Sequence, residues 1–203
     1  MSRRPILIAL MHVTLTASAY AAPPPPTGSR ATLPRPVAGH ALLELRGGAS
    51  APTGPNLPIQ RATLCGELTP LRRIGVESCG NGAGTLHNYA VADFFHIRAR
   101  VTALELSRGR AEGALVVGVG IAEVTRTADA PGLRFGQASE ANPIEAAGSE
   151  LSFSAKGRWW ATDKAHLVGD LNIGVAHIPG APAVVGTQGS AVPFATFTAG
   201  LGF

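Results

Sequence analysis

The final thirteen residues, Ala191–Phe203, alternate without a break. Pro193, Ala195, Phe197, Ala199, Leu201 and Phe203 share one face, and Phe194, Thr196, Thr198, Gly200 and Gly202 share the other. Only an extended chain sorts every second side chain to one side. The segment is therefore a strand with one apolar face and one of mainly small or hydroxyl-bearing residues. A strand of that length needs partners, and the rest of the chain must supply them.

Alternation recurs from Ala38 onward. Clear strands are expected over His40–Arg46, Val91–Leu106, Ala111–Arg126, Glu150–Ala161, His166–Ile178 and Ala191–Phe203. Weaker ones span Gln60–Leu68 and Leu71–Ser78, meeting at Thr69-Pro70. Together they make eight, an even number, which brings both ends of a barrel to one side. The connections alternate in length. Thr69-Pro70, Ser107–Arg110 and Thr162–Lys164 are short, whereas Gly47–Leu57, Cys79–Asn88, Thr127–Gly148 and Pro179–Ser190 are long. Such sorting by side belongs to barrels with short periplasmic turns and long outer loops.

The two faces differ in kind. In Glu150–Ala161, Leu151, Phe153, Ala155 and Trp159 alternate with Glu150, Ser152, Ser154, Lys156, Arg158 and Trp160. Elsewhere the polar phase mixes glycines with charges, an expensive choice for a solvent-exposed strand face. Inside a narrow eight-stranded barrel, small residues make room for long charged ones. A lumen network is expected in which Arg98, Arg100, Lys156 and Arg158 pair with Glu44, Glu150 and Asp170, because buried charges need partners. Trp159, Trp160 and Phe203 fall toward the short-turn end, where an aromatic girdle meets the membrane interface. A soluble barrel with the apolar face inward also alternates, and it remains the opposing arrangement.

The apolar alternation ending on Phe203 resembles the C-terminal strand of bacterial outer-membrane β-barrels. That resemblance implies a closed, antiparallel, up-and-down transmembrane β-barrel, all-β, with outer-membrane lipid around it. It also implies a final strand that the barrel-assembly machinery reads.

The start of the chain fits export. Arg3 and Arg4 precede the short apolar run Ile6–Leu15, and Ala19-Tyr20-Ala21 forms an A-x-A cleavage site. Residues 1–21 read as a signal peptide, residues 22–37 as a Pro-rich lead containing Pro23–Pro26, and residues 38–203 as the barrel domain. The run is well short of the ~20 apolar residues of a membrane-spanning helix. Cys65 and Cys79, an even count in an exported chain, are expected to form a disulfide. The pair is symmetric about Arg72 rather than about Thr69-Pro70. A disulfide facing across a hairpin would place the turn near Leu71-Arg72-Arg73, and then either the strands extend beyond the cysteines or this hairpin belongs to a loop.

The formal charge is +4, carried by scattered arginines. Scatter and export both argue against a nucleic-acid surface, and anionic lipid headgroups are the more natural counterpart. No histidine pair has metal-ligand spacing, so neither a metal nor another cofactor is expected. No G-x-S-x-G elbow occurs.

The single catalytic candidate is His177, on the apolar phase near the outer end of its strand. Its position resembles that of the catalytic histidine in outer-membrane lipid A 3-O-deacylases, whose lipid-facing triad uses a His-x-Ser pair and a later Glu. Here Pro179 stands where that serine would be, and no Glu follows. Ser190 is the remaining hydroxyl candidate. The residues favour a non-enzymatic barrel with a side-chain-filled lumen, structural or adhesive through the loops Thr127–Gly148 and Pro179–Ser190, its extracellular ligand unspecified. The alternatives are a lipid-modifying barrel using His177 and a soluble periplasmic or secreted barrel holding an apolar ligand.

Overall fold

The computed structural model describes residues 42–54, 56–57, 59–80, 92–126, 135 and 143–203. Among them eight antiparallel strands close into one barrel, each hydrogen-bonded to its neighbours in sequence and β8 to β1. They are β1 Leu42–Pro52, β2 Gln60–Leu71, β3 Ile74–Gly80, β4 Asp93–Arg108, β5 Ala111–Thr125, β6 Glu145–Trp160, β7 His166–His177 and β8 Ala191–Gly202. A short helix, α1 Ala181–Val185, lies between β7 and β8. The expected signal peptide (residues 1–21), the expected Pro-rich lead (residues 22–37), most of the expected loop Cys79–Asn88 and most of Thr127–Gly148 lie outside the described residues.

Closure is made at the seam between the first and last strands. Glu44 pairs with Gly202 and Pro52 with Phe194. Phe203 completes the seam: its N–H donates to the Leu43 carbonyl at 2.9 Å, and Leu43 N–H donates back at 3.0 Å. A closed sheet leaves no unpaired edge, the condition for strands to survive in hydrocarbon.

Strand ends shift by a few residues from those read in the sequence, and three of the shifts have a clear local reason. The β2–β3 hairpin turns at Arg72-Arg73, and Thr69-Pro70 lies inside β2. Cys65 faces Cys79 directly and fixes that register, while Pro70, which has no N–H to donate, sits at the irregularity between Leu68 and Leu71. Gly47-Gly48 is strand, not loop, because β1 and β8 approach so closely that a Cβ at Gly48 would lie 2.0 Å from the Phe197 carbonyl oxygen. β6 begins at Glu145 rather than Glu150, and a Cβ at Gly148 would lie 1.9 Å from the His177 carbonyl oxygen. Small residues that punctuate a loop in sequence here serve close strand contacts.

The barrel is apolar outside and polar inside. Leu45, Val101, Leu115, Phe153, Ile173 and Phe197 are all exposed, Phe153 at 54%, while Glu44, Arg98, Arg100, Lys156 and Asp170 are buried. This inverts the arrangement a soluble barrel needs. An apolar belt of this extent marks a surface for membrane or partner.

Candidate functional site

The lumen has two layers. The layer toward the short turns is charged. Five carboxylates (Glu44, Glu67, Glu77, Glu150, Asp170) interleave with five cations (Arg46, Arg98, Arg100, Lys156, Arg158) among the described residues. Glu77 takes the guanidinium groups of Arg46, Arg98 and Arg100. Glu67 accepts from Arg46 and Arg100 at 2.8 Å each and from Lys156 at 2.6 Å. Asp170 holds Arg100 at 2.6 Å and Arg46 at 2.8 Å. Glu44 binds Lys156 Nζ at 2.9 Å and Arg158 Nε at 2.6 Å, and His166 Nε2 lies 3.2 Å away. Arg158 reaches the rim carboxylate Glu112 at 2.5 Å.

Arg98 and Arg100 need space to lie across the lumen, and β5 provides it. They pair in register with Gly120 and Gly118, and a Cβ at Gly120 would fall 2.5 Å from Arg98 Cα. Ser152, Ser154 and Asn172 take the remaining guanidinium donors: Arg98 Nη1 donates to Ser152 at 3.1 Å and to Asn172 at 3.0 Å, and Arg100 Nη2 to Ser154 at 2.8 Å. With like numbers of each sign and hydroxyls filling the gaps, the layer offsets the several kcal/mol that an unpaired buried ion costs.

The residues expected in the lumen from the sequence, Glu44, Arg98, Arg100, Glu150, Lys156, Arg158 and Asp170, all lie in this layer. Arg46, Glu67 and Glu77, the centre of the network, are not among those expected residues, whereas His96 and His166 lie on the polar phase as their positions imply. A signal existed. Pairing Cys65 with Cys79 places Glu67 opposite Glu77 by two equal steps toward the turn, and Arg46 shares the phase of Glu44.

The layer toward the long loops is apolar. Phe94 and Phe194 pack at 5.1 Å between ring centroids, and His96 lies edge-on to Phe94 at 5.6 Å while its Nδ1 sits 3.3 Å from Glu150. Above them α1 lays Ala181, Val184 and Val185 into the barrel mouth against Val124 and Ile178. Gly186 closes the helix in the left-handed conformation, φ 69°, with its N–H on the Pro182 carbonyl. Arg126 from the end of β5 donates to the Val184 carbonyl at 2.6 Å and the Ala183 carbonyl at 3.1 Å, satisfying helix carbonyls that have no partner within a single turn. Pro179–Ser190 is thus folded inward as a cap, leaving Pro182, Ala183, Gly186, Gln188 and Gly189 exposed.

On the outer surface His177 is exposed at the end of β7, opposite Ser149 of β6 and Ala191 of β8. Ser190 Oγ lies 3.1 Å from His177 Nδ1. Neither side chain meets a carboxylate among the described residues. Trp159 and Phe203 face outward, half exposed. Trp160 is on the lumen phase instead, its ring centroid 4.4 Å from that of His166. Glu67, Glu77 and Asp170 approach one another closely enough to suggest a cation cage, but Arg46 and Arg100 already occupy that space.

No family model matches the sequence, and no curated protein is detectably similar to it. Among solved structures, the chain resembles neisserial surface protein A, with 7% identity over 80% of this chain and 95% of that one and a TM-score of 0.53. It also aligns with the N-terminal β-barrel domain of Pseudomonas aeruginosa OprF, at 9% identity, 80% and 97% coverage and a TM-score of 0.41. Ail, the attachment invasion locus protein of Yersinia pestis, aligns at 11% identity, 82% and 99% coverage and a TM-score of 0.38. At these identities the likeness is one of fold.

Proposed function

We propose that the protein is a small outer-membrane β-barrel whose lumen is sealed by its own side chains and whose role is structural or interactive rather than conductive. The observation that carries this reading is the inverted barrel: an apolar outside around a charge-balanced interior capped by α1. Such an interior has no path for hydrated ions, since an eight-stranded lumen is just wide enough for side chains to fill. The seam made by Phe203 supports a role for the last strand in assembly, with the barrel-assembly machinery as the partner that recognises it. With α1 folded into the mouth, recognition of an extracellular ligand falls to the other long connections. The test is fractionation of expressing cells, followed by gel migration of the detergent extract with and without boiling. Recovery in the outer membrane with a heat-dependent mobility shift supports the reading; recovery in the soluble periplasm overturns it.

A second reading is favoured by one contact, the Ser190–His177 hydrogen bond on the lipid-facing surface. In it, Ser190 Oγ attacks an ester carbonyl of a membrane lipid while His177 takes the hydroxyl proton and returns it to the departing alkoxide. Water then hydrolyses the acyl-serine. An acid normally holds the imidazole in its working tautomer, and among the described residues no carboxylate pairs with His177. Acyl release from lipopolysaccharide that disappears in both His177→Ala and Ser190→Ala supports it, and no release by the parent protein ends it.

A further inference from the structure

The two ends of the barrel carry different charge. Five cations lie at the three short turns among the described residues: Arg72 and Arg73 between β2 and β3, Arg108 and Arg110 around Gly109 between β4 and β5, and Lys164 between β6 and β7. All five are exposed, the Arg72 side chain at 73%. Arg72 lies 3.6 Å from Glu105, and none of the other four makes an ion pair among the described residues. Against them this rim sets Asp163, Glu105 and a Glu112 already held by Arg158.

The opposite end is different. Residues 53–59, 81–91 and 178–190 contain no Lys, Arg, Asp or Glu, and residues 127–142 contain one Arg and two acids. Arg126, at the base of that last connection, is committed to the carbonyls of α1.

The cationic rim is continuous with the apolar belt. Leu71 and Ile74 flank the Arg72-Arg73 turn, and Leu106, Trp159 and Leu167 stand in the strands beside the other two turns, all exposed. Side chains that follow directly on a lipid-facing belt lie at headgroup depth when the belt fills the hydrocarbon layer. Long Arg and Lys side chains at that depth reach phosphates with their charged ends while their stems stay on apolar surface. An Arg guanidinium matches a phosphodiester in charge and in paired-donor geometry.

We propose that this rim is a binding site for anionic phospholipid headgroups in the leaflet that faces the short turns, with Arg72, Arg73, Arg108, Arg110 and Lys164 as its contacts. The proposal rests on the reading of the barrel as membrane-spanning. Its consequence is orientation: one end prefers an anionic leaflet, and the other, nearly free of charge in its connections, has no such preference.

The test uses the full-length protein folded into vesicles of equimolar phosphatidylcholine and phosphatidylglycerol, with the retained lipids identified by native mass spectrometry. A cation held at an anionic surface is worth about a fivefold preference, so the phosphatidylglycerol ratio of retained lipid should rise about fivefold above that of the vesicle. It should return to the vesicle ratio in R72Q/R73Q/R108Q/R110Q/K164Q, and fall in the parent protein as salt is raised. The two-residue variants R72Q/R73Q and R108Q/R110Q should each lose part of the enrichment, which keeps the assignment testable if the quintuple variant folds poorly. A folded, heat-modifiable parent protein with no enrichment overturns the proposal and leaves the barrel standing. Enrichment unchanged in the variants overturns the assigned residues. Retention on isolated peptidoglycan sacculi, lost in the variants, without any lipid preference, overturns the lipid assignment in favour of the cell wall. Failure to insert into vesicles of any composition overturns the membrane reading beneath it.

Discussion

Glu67 and Glu77 face each other directly across the β2–β3 hairpin, two residues from the Cys65–Cys79 disulfide. Two carboxylates opposed in a sheet normally repel. Here Arg46 and Arg100 each bind both of them, so the repulsive pair becomes the anchor of the lumen network. The disulfide sets the register, the register sets the two acids, and the acids fix guanidinium groups from two other strands.

Removing Glu77 should therefore be the most damaging single change in the lumen. Glu77→Ala leaves Arg46, Arg98 and Arg100 short of a shared counter-charge, and breaking a buried ion pair this way costs about 3–5 kcal/mol. Glu112→Ala, at the rim, should cost clearly less, because Arg158 keeps Glu44 as its second partner. Urea unfolding of the two variants in the same vesicles, read by the heat-modifiable band, measures the difference.

The disulfide is buried on the lumen face. In the folded barrel it should resist a reductant that cleaves it at once after boiling, read by thiol alkylation and mass. Removing it with Cys65→Ser and Cys79→Ser together should cost about 3 kcal/mol, the chain-entropy value for a loop of this length.

Two glycines separate packing from propensity. Gly148→Ala puts a methyl group 1.9 Å from the His177 carbonyl oxygen and should sharply reduce the folded fraction. Gly157→Ala meets no atom within 4 Å and should be neutral or slightly stabilising. Refolding yield in detergent, compared side by side, checks both.

Sealing of the lumen is open to electrical measurement. The parent protein in a planar bilayer should give no current steps. Arg126→Ala, which frees the carbonyl end of α1 from β5, should loosen the cap and still leave the charged layer closed to ions. Steady conductance in the parent protein counts against a sealed lumen.

Much of this architecture was legible in the sequence, and the residues show where legibility stops. Period-two alternation located the strands because each face of a barrel strand meets one environment along its length. The long and short connections gave the up-and-down order. Local signals misled where they normally mark turns: Gly47-Gly48 and Thr69-Pro70 lie within strands, since contacts from β8 and the disulfide register outweigh local preference. The centre of the charge network stayed hidden in Glu67 and Glu77, whose strands had the weakest alternation. α1 was invisible because five residues carry no helical period, and what folds them is the apolar mouth beneath. The Ser190–His177 contact depends on how the cap folds back, which no spacing records.

The apolar face should meet lipid and the charged face only itself, and the chain carries its own probes. Its two tryptophans are neighbours on opposite faces of β6, Trp159 outward and Trp160 packed against His166 in the lumen. Proteins bearing one indole each (W160F, W159F, and F153W with both native tryptophans replaced by Phe) would be folded into vesicles of brominated phosphatidylcholine and their fluorescence quenching compared. Strong quenching of Trp159 and of the F153W indole, with Trp160 protected, is the expected result. Quenching by aqueous acrylamide at Trp159 and at position 153, with no effect of the brominated lipid, would contradict the account and turn the barrel into a soluble one.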